Sequence, residues 1–211
     1  MEVSIILPCR NEEQAIVYCI KKIQSVLREN KINGEIIVSD SSIDNTYDLI
    51  KNMDIKVIRH NKIGYGNAYI EAFKYVKGSN IIMVDAEDTY NYNEIPKLLN
   101  ILKHYDLVIG NRFANPLPRN TMPFLHKYIG NPLLSFLIRL LYKVDVADAH
   151  SGFRAISYEN LKKLNLVSQG MEFATEMLIE AKKHNLRIKE IPVEYKIMKR
   201  KSKLRPLSDG W

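Results

Sequence analysis

Five short apolar runs, the first four each followed by a helix-like segment, fill the first 112 residues and restrict the fold class. The runs are Val3–Leu7, Glu35–Val38, Ile55–Ile58, Ile81–Val84 and Asp106–Ile109. After the first, Ala15, Ile16, Cys19, Ile20, Ile23 and Leu27 recur at one-face spacing, with Asn11 as the N-cap candidate. Further helices are predicted from about Asp44 to Asn52, from Gly64 to near Gly78, and from about Asn93 to His104. Continuous apolar strands alternating with helices over short connections give an α/β fold, a mostly parallel, right-handed sheet flanked by helices. Such sheets bind ligands beyond the carboxyl ends of their strands. Here those ends are polar: Pro8–Glu12, Ser39–Thr46, Asp85–Thr89 and Gly110–Arg112. A cleft built from four segments is the expectation.

The fourth strand end carries the most chemistry. Asp85, Glu87 and Asp88 follow four apolar residues, and Asp85 and Glu87, two apart, point the same way in an extended segment. Two hard oxygen donors so placed suit a Mg²⁺ or Mn²⁺ that also holds phosphates. The alternative is an acid-rich helix N-terminus that complements the dipole. Gly64-Tyr65-Gly66 is half of a dinucleotide fingerprint without its third glycine, and close packing of helix against loop is the preferred reading.

Beyond Arg112 the alternation stops. Residues Ala114–Thr121 read as a loop, and Phe124–Gly130 and Leu133–Tyr142 as helices around Asn131-Pro132. The second helix is apolar nearly all round, with Arg139 and Lys143 beside it, which fits a membrane interface and a buried core equally. Asp148–Arg154 is a second polar cluster. Glu172, Glu176 and Glu180 stack at i, i+4 spacing, read as a solvated face, and Ile188–Tyr195 reads as an edge hairpin strand. Six basic residues lie between Lys196 and Arg205.

Lys and Arg outnumber Asp and Glu by 31 to 24, which favours anionic partners. The two cysteines, Cys9 and Cys19, have no zinc-site spacing and read as reduced thiols. No apolar run reaches the length of a membrane span, and the N-terminus enters a strand directly, without the pattern of a signal peptide. A cytoplasmic protein touching membranes only peripherally is the expectation. Nucleic-acid binding is disfavoured, because it leaves Asp85 and Glu87 unexplained.

Taken together and in order, these residues resemble a family 2 glycosyltransferase of the GT-A, Rossmann-like fold. The resemblance is closest to the synthases that move a hexose onto dolichyl or polyprenyl phosphate, and it spans residues 3–211. Leu7-Pro8-Cys9-Arg10-Asn11-Glu12 matches the first-strand signature, which implies nucleotide contacts by Pro8 and Glu12. Ser39–Thr46 matches the second-strand turn, which implies that Asp40 faces base or ribose. Asp85-Ala86-Glu87 stands at the Asp-x-Asp metal motif, and Gly110-Asn111-Arg112 at a Gly-Ser-Arg motif whose arginine meets phosphate. Asp148–Arg154 and Gly170-Met171-Glu172-Phe173 match acceptor-side blocks, and Ser202-Lys203-Leu204-Arg205 the basic segment that closes over the diphosphate.

The resemblance implies a single domain, with residues 1–112 binding a GDP- or UDP-linked sugar and residues 113–211 forming a helical and hairpin acceptor side. Asp85 and Glu87 would hold the cation, while Lys203 and Arg205 add charge. Lys127, Arg112 and Arg154 would guide the acceptor phosphate. A phosphate is already dianionic near neutral pH and needs no strong base, so inversion in one displacement is implied. A hydroxyl acceptor would instead need a carboxylate base, for which Asp148 and Glu172 are the candidates.

Overall fold

The structure is a computed structural model and describes residues 1–116 and 131–197. Its centre is a seven-stranded sheet in the order β3-β2-β1-β4-β6-β5-β7. The strands are β1 (Val3–Cys9), β2 (Gly34–Asp40), β3 (Lys56–Arg59), β4 (Asn80–Met83), β5 (Leu107–Asn111), β6 (Arg154–Ser157) and β7 (Ile188–Pro192). The first four pair in parallel, as the alternation predicts.

Three features depart from the reading above. β6, which the sequence does not signal, inserts antiparallel between β4 and β5. β7 is an edge strand as expected but forms no hairpin; it pairs parallel to β5 after a helical crossover. Pro8, which the sequence places just past the first apolar run, lies inside β1 opposite Ser39. The β1–β4 pairing ends at Ile6, so the missing N–H of Pro8 costs no ladder bond on that side.

Alternating residues of each strand feed two helical layers. Val3, Ile5 and Leu7 face α1 (Ile16–Glu29) and α4 (Ile95–Leu102), with Ile20, Ile23, Leu98 and Leu99 in the same cluster. Ile6, Ile37, Met83 and Ile109 face the other layer, where α3 (Tyr65–Phe73) and α7 (Phe173–Lys183) supply Tyr69, Phe173, Met177 and Leu178. The short helices α2 (Thr46–Ile50) and α6 (Tyr158–Leu161) pack against α1 and β6 respectively. Gly64, at φ 131°, and Gly66 allow the α3 start to touch the 165–170 loop, because a Cβ at Gly66 would lie 2.0 Å from the Ser168 carbonyl oxygen. Packing is thus their role, as the sequence reading prefers.

α5 (Asn131–Tyr142) buries Ser135 and Ile138, while Leu133, Phe136, Leu137, Leu140 and Leu141 are exposed. It is therefore a half-buried helix with an open apolar face. Among the described residues no helix is long and apolar enough to cross a membrane.

Candidate active site

The carboxyl ends of β1, β2, β4 and β5 meet on one edge of the sheet, and the N-terminus of the antiparallel β6 joins them there. Asn11, expected as an N-cap, is not one: α1 begins at Ile16. Asn11 instead adopts φ 57° and binds the second-strand turn, donating its N–H to Ser42 Oγ at 2.7 Å and accepting from Ile43 N at 2.9 Å. The Glu12 N–H donates to Thr46 Oγ1 at 2.9 Å, and the Glu12 side chain is buried. Asp40, fully buried, accepts from Ser42 N at 3.0 Å, and its second oxygen has no hydrogen-bond partner among the described residues. The structure thus joins Pro8, Glu12 and Asp40 at one place.

Asp85 and Glu87 emerge just past β4, both half-buried. Burial, then the charge of Glu87, pushes the Asp85 carboxyl up to about 7, against the pull of Arg112. Ala86 between them is buried. Among the described residues no group of three or more His, Cys, Asp or Glu side chains gathers to hold a metal. Asp85, crowded by the neighbouring Glu87 charge, and Glu87 itself offer two carboxylates that fit a divalent cation completing its coordination with water and phosphate oxygens.

Arg112 and Asp148 come together, but not as two independent groups. Arg112 donates from N and Nε to Asp148 Oδ2, at 3.0 and 2.7 Å, and from Nη2 to Oδ1 at 2.7 Å. Asp148 is fully buried, so the position proposed for a base holds an arginine's counter-ion instead. Glu190 of β7 fixes this corner by accepting from the N–H groups of Ala147 and Asp148, at 2.9 and 2.7 Å. Tyr195 lays its ring 5.3 Å from the Arg112 guanidinium carbon.

Arg154, expected to guide the acceptor phosphate, is buried with its guanidinium engaged by backbone carbonyls. It donates to those of Ser151, Ala149 and Ala174 at 2.7–2.9 Å. It cross-links the 148–152 loop to α7. Glu172 is exposed and accepts the Gly170 N–H at 2.8 Å. Glu176 and Glu180 likewise accept N–H groups of Val167, Ser168 and Asn165, so the stacked glutamates clamp a loop rather than form a solvated face. Lys127, Lys203 and Arg205 lie outside the described residues.

The sequence reading missed Tyr90, Tyr92, Gly152 and Glu190. Gly152 packs so closely on Asp85 that a Cβ would lie 2.3 Å from Oδ2. A glutamate inside a strand and two tyrosines directly after the acids were the available signals.

This sheet order, with paired carboxylates at its carboxyl edge, defines a GT-A type α/β fold. It is similar to mannosyl-3-phosphoglycerate synthase from Rubrobacter xylanophilus, with a TM-score of 0.77 at 20% identity over 99% of this chain and 69% of that one. The chain belongs to glycosyl transferase family 2, whose family model matches residues 4–164. A low-salt glycan biosynthesis hexosyltransferase of Haloferax volcanii is 39% identical over 210 residues, 99% of this chain and 51% of that protein. A UDP-N-acetylglucosamine–dolichyl-phosphate N-acetylglucosaminyltransferase of Methanococcus voltae is 34% identical over 90% of this chain and 84% of its own length. A dolichyl-phosphate hexose transferase of Haloferax volcanii is 28% identical over 99% of this chain and 89% of that one. This chain spans about half the length of the first of these relatives.

Proposed function

We propose that the chain transfers a hexose from a GDP- or UDP-linked donor to dolichyl or polyprenyl phosphate. The observation that carries this reading is the pairing of Asp85 and Glu87 beside the buried, oriented Arg112 at the carboxyl edge of the sheet. Two relatives named for transfer to dolichyl phosphate support the acceptor class. Glu12 and Asp40 would meet the nucleoside, and Arg112, its head fixed from behind by Asp148, would offer a preorganised cation to phosphate. A Mg²⁺ or Mn²⁺ held by Asp85 and Glu87 would stabilise the charge that builds on the departing nucleoside diphosphate.

Asp148 is engaged with Arg112, which weakens the alternative of a hydroxyl acceptor served by that carboxylate. A phosphate acceptor needs no such base. The open apolar face of α5, with Arg139 and Lys143 alongside, would rest on an anionic membrane surface and bring the lipid phosphate to the edge of the sheet.

The test is transfer of radiolabelled hexose from UDP-glucose, GDP-mannose and UDP-N-acetylglucosamine to a short polyprenyl phosphate, with and without Mn²⁺. Metal-dependent counts in the organic phase from one donor are the expected result. Transfer to a water-soluble hydroxyl acceptor, with none to the lipid phosphate, would overturn the proposal.

A further inference from the structure

The reach of Asp85 depends on what surrounds its carboxylate, and one wall is Gly152. A Cβ at Gly152 would lie 2.3 Å from Asp85 Oδ2 and 2.5 Å from Oδ1, so the glycine backbone presses directly on the carboxylate. Gly152 in turn is held by Tyr90. Its N–H donates to the Tyr90 hydroxyl at 2.8 Å, and that hydroxyl stands 3.4 Å from Ser151 Oγ.

Tyr90 is fully buried and locked on three sides. Its ring centroid lies 5.3 Å from that of Phe153 and 5.0 Å from that of Tyr195, and its backbone forms an antiparallel bridge with Tyr195. The neighbouring Tyr92 hydroxyl donates to the Asp85 carbonyl at 3.1 Å. The same short segment therefore grips both the backbone of Asp85 and the wall behind its side chain.

We infer that Tyr90 is a positioning residue for the divalent cation: its hydroxyl pins Gly152, and Gly152 limits the orientations open to the Asp85 carboxylate. Rotation about the terminal torsion of an aspartate is broad and two-fold, so a metal-binding carboxylate without such a wall samples geometries that cannot coordinate. Groups one step behind the ligands commonly change metal affinity by about 10–100-fold. A phenylalanine at this position would keep the ring packing, which isolates the hydroxyl as the positioning group. The inference rests on the assignment of Asp85 and Glu87 to the metal.

The experiment compares the unmodified chain with Tyr90→Phe, Gly152→Ala and Asp85→Asn. Amide hydrogen exchange at Gly152 is followed without metal, and Mn²⁺ binding by electron paramagnetic resonance with UDP or GDP present. For Tyr90→Phe the Gly152 amide should exchange at least about tenfold faster, and the Mn²⁺ Kd should rise about tenfold. Gly152→Ala, which disturbs the wall while Tyr90 stays intact, should raise the Mn²⁺ Kd as well. Faster exchange at Gly152 with an unchanged Mn²⁺ Kd would make the tyrosine purely structural, and unchanged exchange would remove the clamp. Should Tyr90→Phe not fold, an unaltered Kd in Gly152→Ala overturns the inference by itself. If Asp85→Asn binds Mn²⁺ as the unmodified chain does, the metal assignment fails, and this inference fails with it.

Discussion

Removing Asp148 should cost stability before it touches chemistry. Its two oxygens accept three hydrogen bonds from Arg112, at 3.0, 2.7 and 2.7 Å, and both residues are buried. Deleting one partner of such a pair leaves an uncompensated buried charge and costs about 3–5 kcal/mol. A chain of this size loses about 2–4 °C of Tm per kcal/mol, so Asp148→Ala should melt roughly 6–20 °C lower. Asp148→Asn keeps the shape but turns an N–H group toward the guanidinium, so its melting point should fall in the same direction. Calorimetry of the two variants, with the pH dependence of turnover measured alongside, checks this. If Asp148→Asn kept its melting temperature and lost turnover together with the acidic limb of the pH profile, Asp148 would be a base and the counter-ion assignment would be refuted.

The Asp85 carboxyl, pushed up to about 7, lies well above its value in an unfolded chain, about 4. The folded, metal-free protein therefore holds a proton that the unfolded chain releases between these values. This contribution should make chelator-treated protein melt higher at pH 5 than at pH 7.5, and Asp85→Asn should flatten the difference. Because the same proton competes with the cation, the Mn²⁺ Kd should rise about tenfold per pH unit below 7, measurable by titration. Leu140→Asp with Leu141→Asp should abolish flotation with anionic vesicles while shifting Tm by no more than a few degrees, because both side chains are exposed.

Local pattern carried most of the sheet. Four apolar runs became the parallel set β1, β2, β3 and β4; the central β1 and β4 are buried and almost wholly apolar, which is visible residue by residue, while the edge strand β3 is only partly buried. The polar strand ends were legible for the same reason: Pro8, Glu12, Asp40, Asp85, Glu87 and Arg112 each follow a run that stops. β6 escaped because Arg154-Ala155-Ile156-Ser157 is only four residues long and begins with an arginine, and its strand character comes from the two neighbours that enclose it.

The roles of the charged groups divide along the same line. Which side chains reach the edge of the sheet follows from strand period and turn composition, which are properties of adjacent residues. Which of them remain open to a ligand depends on contacts made across the folded chain. Asp148 lies 36 residues from Arg112 in the chain and neutralises it, and Arg154 is consumed by the carbonyls of Ala149, Ser151 and Ala174. Gly152 is set against Asp85 by a tyrosine 62 residues away. A buried charge or N–H group must find a partner wherever packing brings one, and packing is a property of the folded chain, with no trace in the spacing of neighbours.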